Sequence, residues 1–504
     1  MASVEFTTDL EQIRSASNVV LVGSKIGLLS KNAMDLLPSG VSHDLWRVLI
    51  EQANPSTTAV RVPLNFLEEG KLVSVSGMVT PARASTSRHN HAYSPHSIAA
   101  LLPSVGWSCN TLTIAVVVEE TADAFGAGCA VSRAFPLFNE KTRGADMSEN
   151  NVVVALVHAG DGSAELVKIT QTLSVTSECI RHTQRLVDSP PNKLTADTYV
   201  KECLEVAAEL KGNGVESKVF RMKELQENGM GCLEGVGRAS IEHSGEPAMV
   251  ILSRRAPNSS STEAARTVTF VGKGIVFDTG GLSLKPKEGM CEMKMDMGGS
   301  AACLYAFRAA VLLNYPGNIN VVMCIAENGI GPTALKPDDI ITSYSGKTIE
   351  INNPDAEGRL VLADGVSYAA RDLKSGVIVD MATLTGAQMV ATGQRHGAVI
   401  SNDRETENKL FTAGLQSGDL TWPLPYCPEF FRAEFVSRVA DMKNSVANRA
   451  NAQPSCAAQF IADHLPADYQ GSWAHIDMAG AAMKDGRSTG YGVALLVQYL
   501  SLGV

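Results

Sequence analysis

The chain has 504 residues, of which 45% are hydrophobic and 19% charged, and its formal net charge is −10 at neutral pH. This length exceeds the usual size of one domain and predicts two, and the composition excludes a wholly disordered chain. The negative balance argues against a nucleic-acid scaffold, which needs clustered lysine and arginine to hold phosphates. Nucleic acid is therefore not an expected partner.

Cysteine usage and the terminal segment bear on the cellular compartment. The ten cysteines are scattered and include no Cys-x-x-Cys pair, which predicts reduced, packed thiols. Residues 1–11 carry early acidic side chains and lack the basic and then apolar design of a signal peptide. No run approaches the roughly 18 apolar residues of a membrane span. These features predict a cytoplasmic protein without membrane contact.

Predicted strands and helices alternate in the first part of the chain. Short β-branched runs predict strands, and 3.6-residue periodicity predicts helices. The strands are expected at 18–25, 71–78, 112–118 and 152–158, and the helices at 45–53, 121–135 and 174–186. The last helix is followed by a turn with Pro190 and Pro191, which stops it. We therefore expect an α/β domain over residues 1–172, a linking helix and turn over 173–189, and a larger domain over 190–504.

The larger domain repeats the alternation. Strands are expected at 217–221, 248–252, 267–277, 319–325, 377–381, 398–401 and 474–478, and helices at 300–313, 359–372, 405–416, 456–464 and 493–500. This order predicts an α/β fold with a mixed sheet covered by helices on both faces. Ligands bind beyond the carboxyl ends of strands in such sheets, and Asp278 directly follows a predicted strand.

Four carboxylates with interleaved cations form the densest polar pattern of the chain. Asp355 and Glu357 lie two residues apart, so an extended segment would present both on one face. Such carboxylates are costly to desolvate without cations. Asp278 and Asp296 precede them, and Lys273, Lys285 and Arg359 lie among them. Each acid alone is more typical of a turn or helix cap, but the set predicts a two-metal site with cationic helpers.

Lys273 has two interpretations. A lysine that ligates a metal must be neutral, and only burial beside strong positive charge lowers its pKa far enough. Otherwise it is a solvated lysine between two glycines.

Other motifs favour simpler interpretations. His89, His91 and His96 lie in a segment rich in Ser, Asn and Pro without an acidic neighbour, which predicts a surface loop. Residues 345–348 (Ser-Gly-Lys-Thr) match the end of a phosphate-binding loop, but Ile341 stands where glycine is required. No Gly-x-Ser-x-Gly elbow supports a serine hydrolase. The alternating methionines at 290, 293, 295 and 297 fit either the core or an apolar pocket wall.

Residues 353–360 (Asn-Pro-Asp-Ala-Glu-Gly-Arg-Leu) resemble the signature of the leucyl aminopeptidase family of dinuclear metallo-exopeptidases. Further similar segments lie at 271–281, 294–299, 345–351, 380–387 and 473–480, so the resemblance covers about residues 180–504. Before them, only the α/β pattern is similar to the family's smaller N-terminal domain.

The resemblance implies a role for each site residue. Lys273, Asp278, Asp296 and Glu357 would hold a tightly bound divalent ion, and Asp278, Asp355 and Glu357 a more exchangeable one. The ions would be Zn²⁺ or Mn²⁺, with Co²⁺ as an alternative. Lys285 would polarise the scissile carbonyl, and Arg359 would hold a bicarbonate that acts as general base. The substrate would contact Met293, Asp296, Thr383, Leu384, Gly386 and Ala479.

The implied activity is release of the N-terminal residue, leucine or another apolar one, from short peptides with a free N terminus. The resemblance also implies a homohexamer. Two cations can share a hydroxide and clamp the tetrahedral intermediate, and a metal can bind the neutral α-amine that blocked peptides lack.

Several positions depart from the family pattern. Pro354 replaces the usual threonine, and the segments 328–339 (with Asp339 for glycine) and 448–454 differ. Either Ala482 or Met483 would fill one pocket position. Three other classes stay open: a DNA-binding regulator, a catalytically inactive scaffold, and a different metallo-hydrolase on the same scaffold.

Overall fold

The computed structural model describes residues 2–105, 109–142, 150–256 and 267–503. The chain divides into two compact units, of which the first comprises residues 1–184 with 413–420 and the second residues 185–412 with 421–504. All ten cysteines fall within the described ranges, and none of them forms a disulfide bond. Within those ranges, no helix combines the length and apolarity that a membrane crossing requires.

The first unit is built on a six-stranded sheet in the order β1-β6-β5-β2-β4-β3, parallel except for the edge pair of β3 with β4. The strands are β1 Ser3–Thr7, β2 Asn18–Gly23, β3 Val60–Glu68, β4 Lys71–Val79, β5 Thr111–Val118 and β6 Asn151–His158. The central strands β2 and β5 are buried along almost their whole length, as β-branched runs covered on both faces should be.

Helices connect or follow these strands. They are α1 Glu11–Arg14, α2 Lys25–Leu28, α3 Lys31–Met34, α4 His43–Gln52, α5 Pro95–Leu101, α6 Ala124–Arg133 and α7 Ser163–Asp188. Short 3₁₀ turns lie at Arg83–Ser85, Leu102–Ser104 and Thr121–Asp123. The prediction of a surface loop around the three histidines is wrong for His91, which is 3% exposed and accepts a hydrogen bond from the Tyr93 N–H at its Nδ1.

The second unit contains an eight-stranded mixed sheet in the order β15-β14-β17-β13-β9-β10-β8-β7. Its strands are β7 Val215–Phe220, β8 Ala248–Arg254, β9 Val268–Asp278, β10 Ile319–Asn328, β13 Val377–Ala382, β14 Gly397–Ser401, β15 Thr421–Pro423 and β17 Ser472–Asp477. Smaller sheets contain β11 Ile340–Thr342, β12 Thr348–Glu350, β16 Met442–Lys443, β18 Met483–Lys484 and β19 Arg487–Ser488. The central strand β9 pairs in parallel with β10 and β13.

Helices surround this sheet as the alternating pattern predicted. They are α8 Ala196–Glu209, α9 Met222–Glu227, α10 Gly231–Gly237, α11 Ile241–Ser244, α12 Lys287–Met290, α13 Gly298–Leu312, α14 Gly358–Arg371, α15 Gly386–Thr392, α16 Arg404–Ser417, α17 Pro428–Phe431, α18 Gln453–Ala462 and α19 Val493–Ser501. Further 3₁₀ turns lie at Leu210–Asn213, Met293–Met297 and Arg432–Phe435.

Successive residues of β9 face different helices, because side chains alternate across a strand. A Cβ on Gly272 would lie 2.2 Å from the Cα of Ser300 in α13, so only glycine allows this close approach. The next side chain, Lys273, lies against the first residue of α14, where a Cβ on Gly358 would lie 2.6 Å from Lys273 Cε. The sheet therefore carries a helix on each face, and Lys273 points to the α14 face.

Candidate active site

Three carboxylates converge at the carboxyl end of β9. Asp278 is the last residue of that strand, and Asp355 and Glu357 immediately precede α14. One oxygen of each lies within 4.8 Å of the others. Glu357 has helical backbone angles, so the pair is not on an extended strand as the two-residue spacing suggested. A turn rather than a pleat brings the two acids together.

Lys273 joins this cluster as a buried cation. It is 3% exposed, and its Nζ lies 2.7 Å from Asp296 and 2.9 Å from Glu357 Oε1. The Nζ also donates to the Thr383 carbonyl at 3.1 Å. Burial alone would lower the pKa of Lys273, but the charges of Asp296 and Glu357 outweigh it and raise the pKa. The alternative of a solvated lysine is therefore wrong.

Lys285 lies on the other side of the carboxylates. Its Nζ is 2.8 Å from Asp278 Oδ2 and 2.6 Å from Asp355 Oδ1. Desolvation opposes its charge, but the carboxylates Asp278 and Glu357 raise its pKa above the ordinary value. The residue is thus a fixed positive charge at the edge of the acidic cluster.

Asp296 connects the cluster to the segment after β13. It is 3% exposed, and its Oδ1 accepts hydrogen bonds from Lys273 Nζ at 2.7 Å and from Thr383 Oγ1 at 2.8 Å. Burial raises the pKa of Asp296 well above its usual range, with Glu357 and Asp278 adding to the shift and Lys273 opposing it.

The residues present fit divalent cations. Burial is the main cause that raises the pKa of both Asp355 and Glu357, and the charge of Asp278 is the second. The nearby lysines therefore do not fully compensate the negative charge of the carboxylates. Glu357 Oε2 is buried and has no hydrogen-bond partner among the described residues. Clustered carboxylate oxygens of this kind are the ligands that divalent metals take in proteins.

Arg359 lies in the first turn of α14 and is 8% exposed. Its Nε and Nη1 are buried and have no hydrogen-bond partner within the described ranges. Burial lowers the pKa of Arg359 to about 10, with Glu357 opposing the shift. The guanidinium therefore remains a cation at neutral pH, with donors that fit a small anion.

A cavity of about 630 Å³ opens over the carboxylates. All five predicted metal ligands and Lys285 line it, whereas Arg359 does not. The six residues predicted to bind substrate also line it: Met293, Asp296, Thr383, Leu384, Gly386 and Ala479. Met483 rather than Ala482 lines the wall. Of the alternating methionines, Met293 and Met295 line the cavity and Met297 is in the core.

Sequence reasoning missed two residues that hold this site in place. Asn328 ends β10 and donates from Nδ2 to Asp278 Oδ1 at 2.8 Å and to the Pro354 carbonyl at 3.2 Å. It therefore connects the end of β9 to the turn that carries Asp355. Asp477 ends β17 and binds the segments on either side of the cavity. The only signal for Asp477 was its position inside the similar segment 473–480.

Other cavity residues gave no signal in the sequence. Glu288, Glu292, Gln394 and Asp485 line the cavity, but Glu288 lies in the short helix α12 and the other three in short loops, all without a motif. A second cavity of about 710 Å³ lies elsewhere in the second unit and shares none of these residues.

Two family models match the chain. The cytosol aminopeptidase family, catalytic domain, matches residues 181–497. The M17 aminopeptidase N-terminal domain 2 matches residues 17–144.

Curated relatives and solved structures agree with these matches. The human protein named probable aminopeptidase NPEPL1 is 44% identical over 465 residues, which cover 91% of this chain and 84% of that protein. Leucine aminopeptidase 1 of Caenorhabditis elegans is 40% identical over 456 residues, which cover 90% of this chain and 87% of that protein. The structure of the C. elegans leucine aminopeptidase superposes with a TM-score of 0.88 at 35% identity, covering 99% of this chain and 98% of that one. The structure of the leucyl aminopeptidase of Leishmania major in complex with actinonin superposes with a TM-score of 0.89 at 33% identity. The match covers 99% of this chain and 94% of that one.

Proposed function

Because this chain belongs to the cytosol aminopeptidase family, we propose that it releases N-terminal leucine and other apolar residues from short peptides with a free N terminus. It is a metal-dependent aminopeptidase, and hence a hydrolase. The observation that carries the proposal is the convergence of Asp278, Asp355 and Glu357 within 4.8 Å in a cavity that also contains two lysines.

The contacts of the cluster support a proposed set of metal ligands. Lys273, Asp278, Asp296 and Glu357 would hold one divalent ion, and Asp278, Asp355 and Glu357 the second, with Asp278 and Glu357 shared. Lys273 would be a ligand only in its neutral form, so binding of the ion would release the Lys273 proton. Zn²⁺ and Mn²⁺ are the expected ions, and Co²⁺ is an alternative. When bound, such a pair of ions supplies a hydroxide nucleophile at neutral pH. The buried, partnerless Glu357 Oε2 supports this assignment.

Lys285 would stabilise charge that develops on the scissile carbonyl oxygen. Its ammonium is held by Asp278 and Asp355, so it needs little reorganisation during the reaction. Asp296 would bind the α-amino group of the substrate, at the point where Thr383 and Lys273 already orient its carboxylate.

Arg359 would hold a bicarbonate ion as general base. Two of its buried guanidinium nitrogens have no partner in the described part of the chain, and a planar anion with two acceptor oxygens satisfies such a pair. When bound, such an anion would supply a general base.

The first side chain of the peptide would lie against the apolar part of the cavity. Met293 and Ala479 would contact it, and Thr383, Leu384 and Gly386 would contact the peptide backbone. Met483, which lines the same wall, would add apolar surface. Unbranched methionine side chains adapt to leucine and to similar residues, which supports a preference for apolar N-terminal residues.

The wider organisation is also proposed. Residues 190–504 would form the catalytic domain, 1–172 the smaller domain, and 173–189 the link between them.

A relative in Chlorobaculum tepidum that is 36% identical over 370 residues, covering 72% of this chain and 70% of that protein, is named probable cytosol aminopeptidase. This supports a cytoplasmic location, together with the ten cysteines, none of which forms a disulfide bond. We expect a homohexamer.

The test is hydrolysis of Leu-Gly-Gly by the purified chain, with N-acetyl-Leu-Gly-Gly and p-nitrophenyl phosphate as comparison substrates. We expect turnover of the free peptide only, and its loss in Asp355→Asn. Cleavage of the acetylated peptide would contradict the requirement for a free amine. Cleavage of the phosphoester alone would indicate a different metallo-hydrolase.

A further inference from the structure

Asp477 is a fully buried carboxylate that the metal and catalytic assignments do not use. It is 0% exposed and ends strand β17. In the parallel pair of β17 with β13, Asp477 lies opposite Ala382, the last residue of β13. The carboxylate therefore lies where both strands end and the segments that line the cavity begin.

Asp477 binds both of these segments. Its Oδ1 accepts from the backbone N–H groups of Leu384 at 3.1 Å and Thr385 at 3.4 Å, and from that of Ala479 at 3.2 Å. Its Oδ2 accepts from Thr385 Oγ1 at 2.7 Å. Asp477 thus joins the segment after β13 to the segment after β17. Gln388 of α15 also joins them, since its Oε1 accepts from the Gly480 N–H at 2.6 Å.

The other anchor of the first segment is at the metal carboxylates. Thr383 Oγ1 donates to Asp296, and the Thr383 carbonyl accepts from Lys273. Residue 383 is therefore tied to the reacting centre, whereas residues 384 and 385 are tied to Asp477. Without Asp477, Leu384 would keep its covalent link to Thr383 but lose the contact that fixes its distance from Ala479.

We propose that Asp477 is a positioning residue that sets the width of the pocket for the first side chain of the peptide, by joining Leu384 and Thr385 to Ala479. The proposal rests on the proposed function, because it takes Leu384 and Ala479 as walls of that pocket. Asp477 acts through these backbone groups and does not touch the substrate.

The test is the ratio of kcat/KM for Leu-Gly-Gly to that for Ala-Gly-Gly in the full-length, metal-loaded enzyme. A fall in the folded or metal-loaded fraction lowers both values equally and leaves the ratio unchanged. A change in pocket width alters it, because discrimination between apolar side chains depends on close contact.

We expect Asp477→Ala to lower this ratio at least about 5-fold. Asp477→Asn keeps the Oδ1 acceptor for the three N–H groups, and its amide can donate to Thr385 Oγ1, so the ratio should stay within about 2-fold of the parent value. An unchanged ratio in Asp477→Ala would overturn the proposal. An equal fall of the ratio in both variants would also overturn the proposal. The effect would then come from the negative charge of Asp477 and not from its hydrogen bonds.

Thr385→Val covers the case in which Asp477→Ala does not fold. It removes the Oγ1 contact to Asp477 and also the Oγ1 acceptor of the Gln388 N–H at the start of α15, and we expect the ratio to fall at least about 2-fold. Thr269→Val is the matched control, because Thr269 is also buried and hydrogen-bonded, to Ser375, but lies near the opposite end of β9. An unchanged ratio in Thr385→Val would contradict the proposal. A parent enzyme that hydrolyses neither peptide would contradict the proposed function itself.

Discussion

Asn328 Nδ2 donates a 2.8 Å hydrogen bond to Asp278 Oδ1, so the amide fixes the orientation of a carboxylate that both proposed metal ions share. We predict that Asn328→Ala weakens Mn²⁺ binding about 10- to 100-fold, the usual cost of losing such an outer contact. Calorimetric titration of the chelator-treated protein measures this. Asn320→Ala, in the same strand and hydrogen-bonded to Thr269, should leave the affinity unchanged. Equal affinities in both variants would contradict the role of Asn328.

Lys285 is held by two carboxylates beside the proposed reaction centre. We expect Lys285→Ala to lower kcat about 100-fold or more, because a fixed charge at the oxyanion is lost. The Mn²⁺ affinity should change far less, since the metal carboxylates remain. Lys287→Ala is the control, because Lys287 is exposed and does not line the cavity. Steady-state kinetics with Leu-Gly-Gly measures both variants, and an unchanged kcat in Lys285→Ala would exclude the proposed role.

Substitution of Arg359 tests the proposed bicarbonate site. In buffer freed of carbon dioxide, added bicarbonate should raise the kcat of the parent enzyme. Arg359→Met fills the buried space without a cation, so it should lower kcat about 10- to 100-fold and abolish the response. Arg371→Met, at the other end of α14, should respond as the parent does. A bicarbonate response that persists in Arg359→Met would place the anion elsewhere.

Asp364 in α14 gives a prediction about pH and stability. Burial raises its pKa to about 7 from an ordinary value of 3.8, although backbone N–H groups of Cys232, Leu233 and Tyr344 donate to it and oppose the shift. A carboxyl with a raised pKa stabilises the fold fully below its unfolded pKa and loses that contribution as pH rises through 7. From pH 5 to pH 8, the unfolding free energy of the parent should therefore fall relative to that of Asp364→Asn by about 1–3 kcal/mol. Denaturant unfolding at four pH values measures the difference, and a constant difference would contradict the prediction.

Local patterns predicted the elements that carry the site. The strand expected at 267–277 is β9 Val268–Asp278, and the helix expected at 359–372 is α14 Gly358–Arg371. Both are long, regular segments in which the apolar pattern is unambiguous. Because Asp278 directly follows the apolar run, its place at the carboxyl end of a strand could be predicted as well.

Elements with mixed patterns were missed. Strand β1 has only one buried residue, Phe6, and β3 contains Pro63, which is tolerated there because β3 is an edge strand. Helix α7 begins at Ser163, 11 residues before its expected start. Helix α8 was also missed, although Thr195 and Thr198 form its capping box. The sequence carried that signal, with a threonine in the place where glutamate is usual.

The site could be predicted only in part, because its decisive contacts are long-range. No local pattern places Lys273 beside Asp296 and Glu357, which are 23 and 84 positions away. The resemblance to the leucyl aminopeptidase family supplied that grouping, and the fold now gives its physical basis. Asn328 and Asp477 could not be found in this way, since each acts by hydrogen bonds to backbone or side chains of distant segments.

We propose that the aminopeptidase activity depends on two divalent ions, held by Lys273, Asp278, Asp296, Asp355 and Glu357. The most direct measurement is hydrolysis of leucine-p-nitroanilide by chelator-treated protein as Mn²⁺ is added back stepwise. We predict no activity without metal, and recovery that is complete only when two ions are bound per chain. Full activity in the presence of chelator, or full recovery at one ion per chain, would contradict the requirement for two ions.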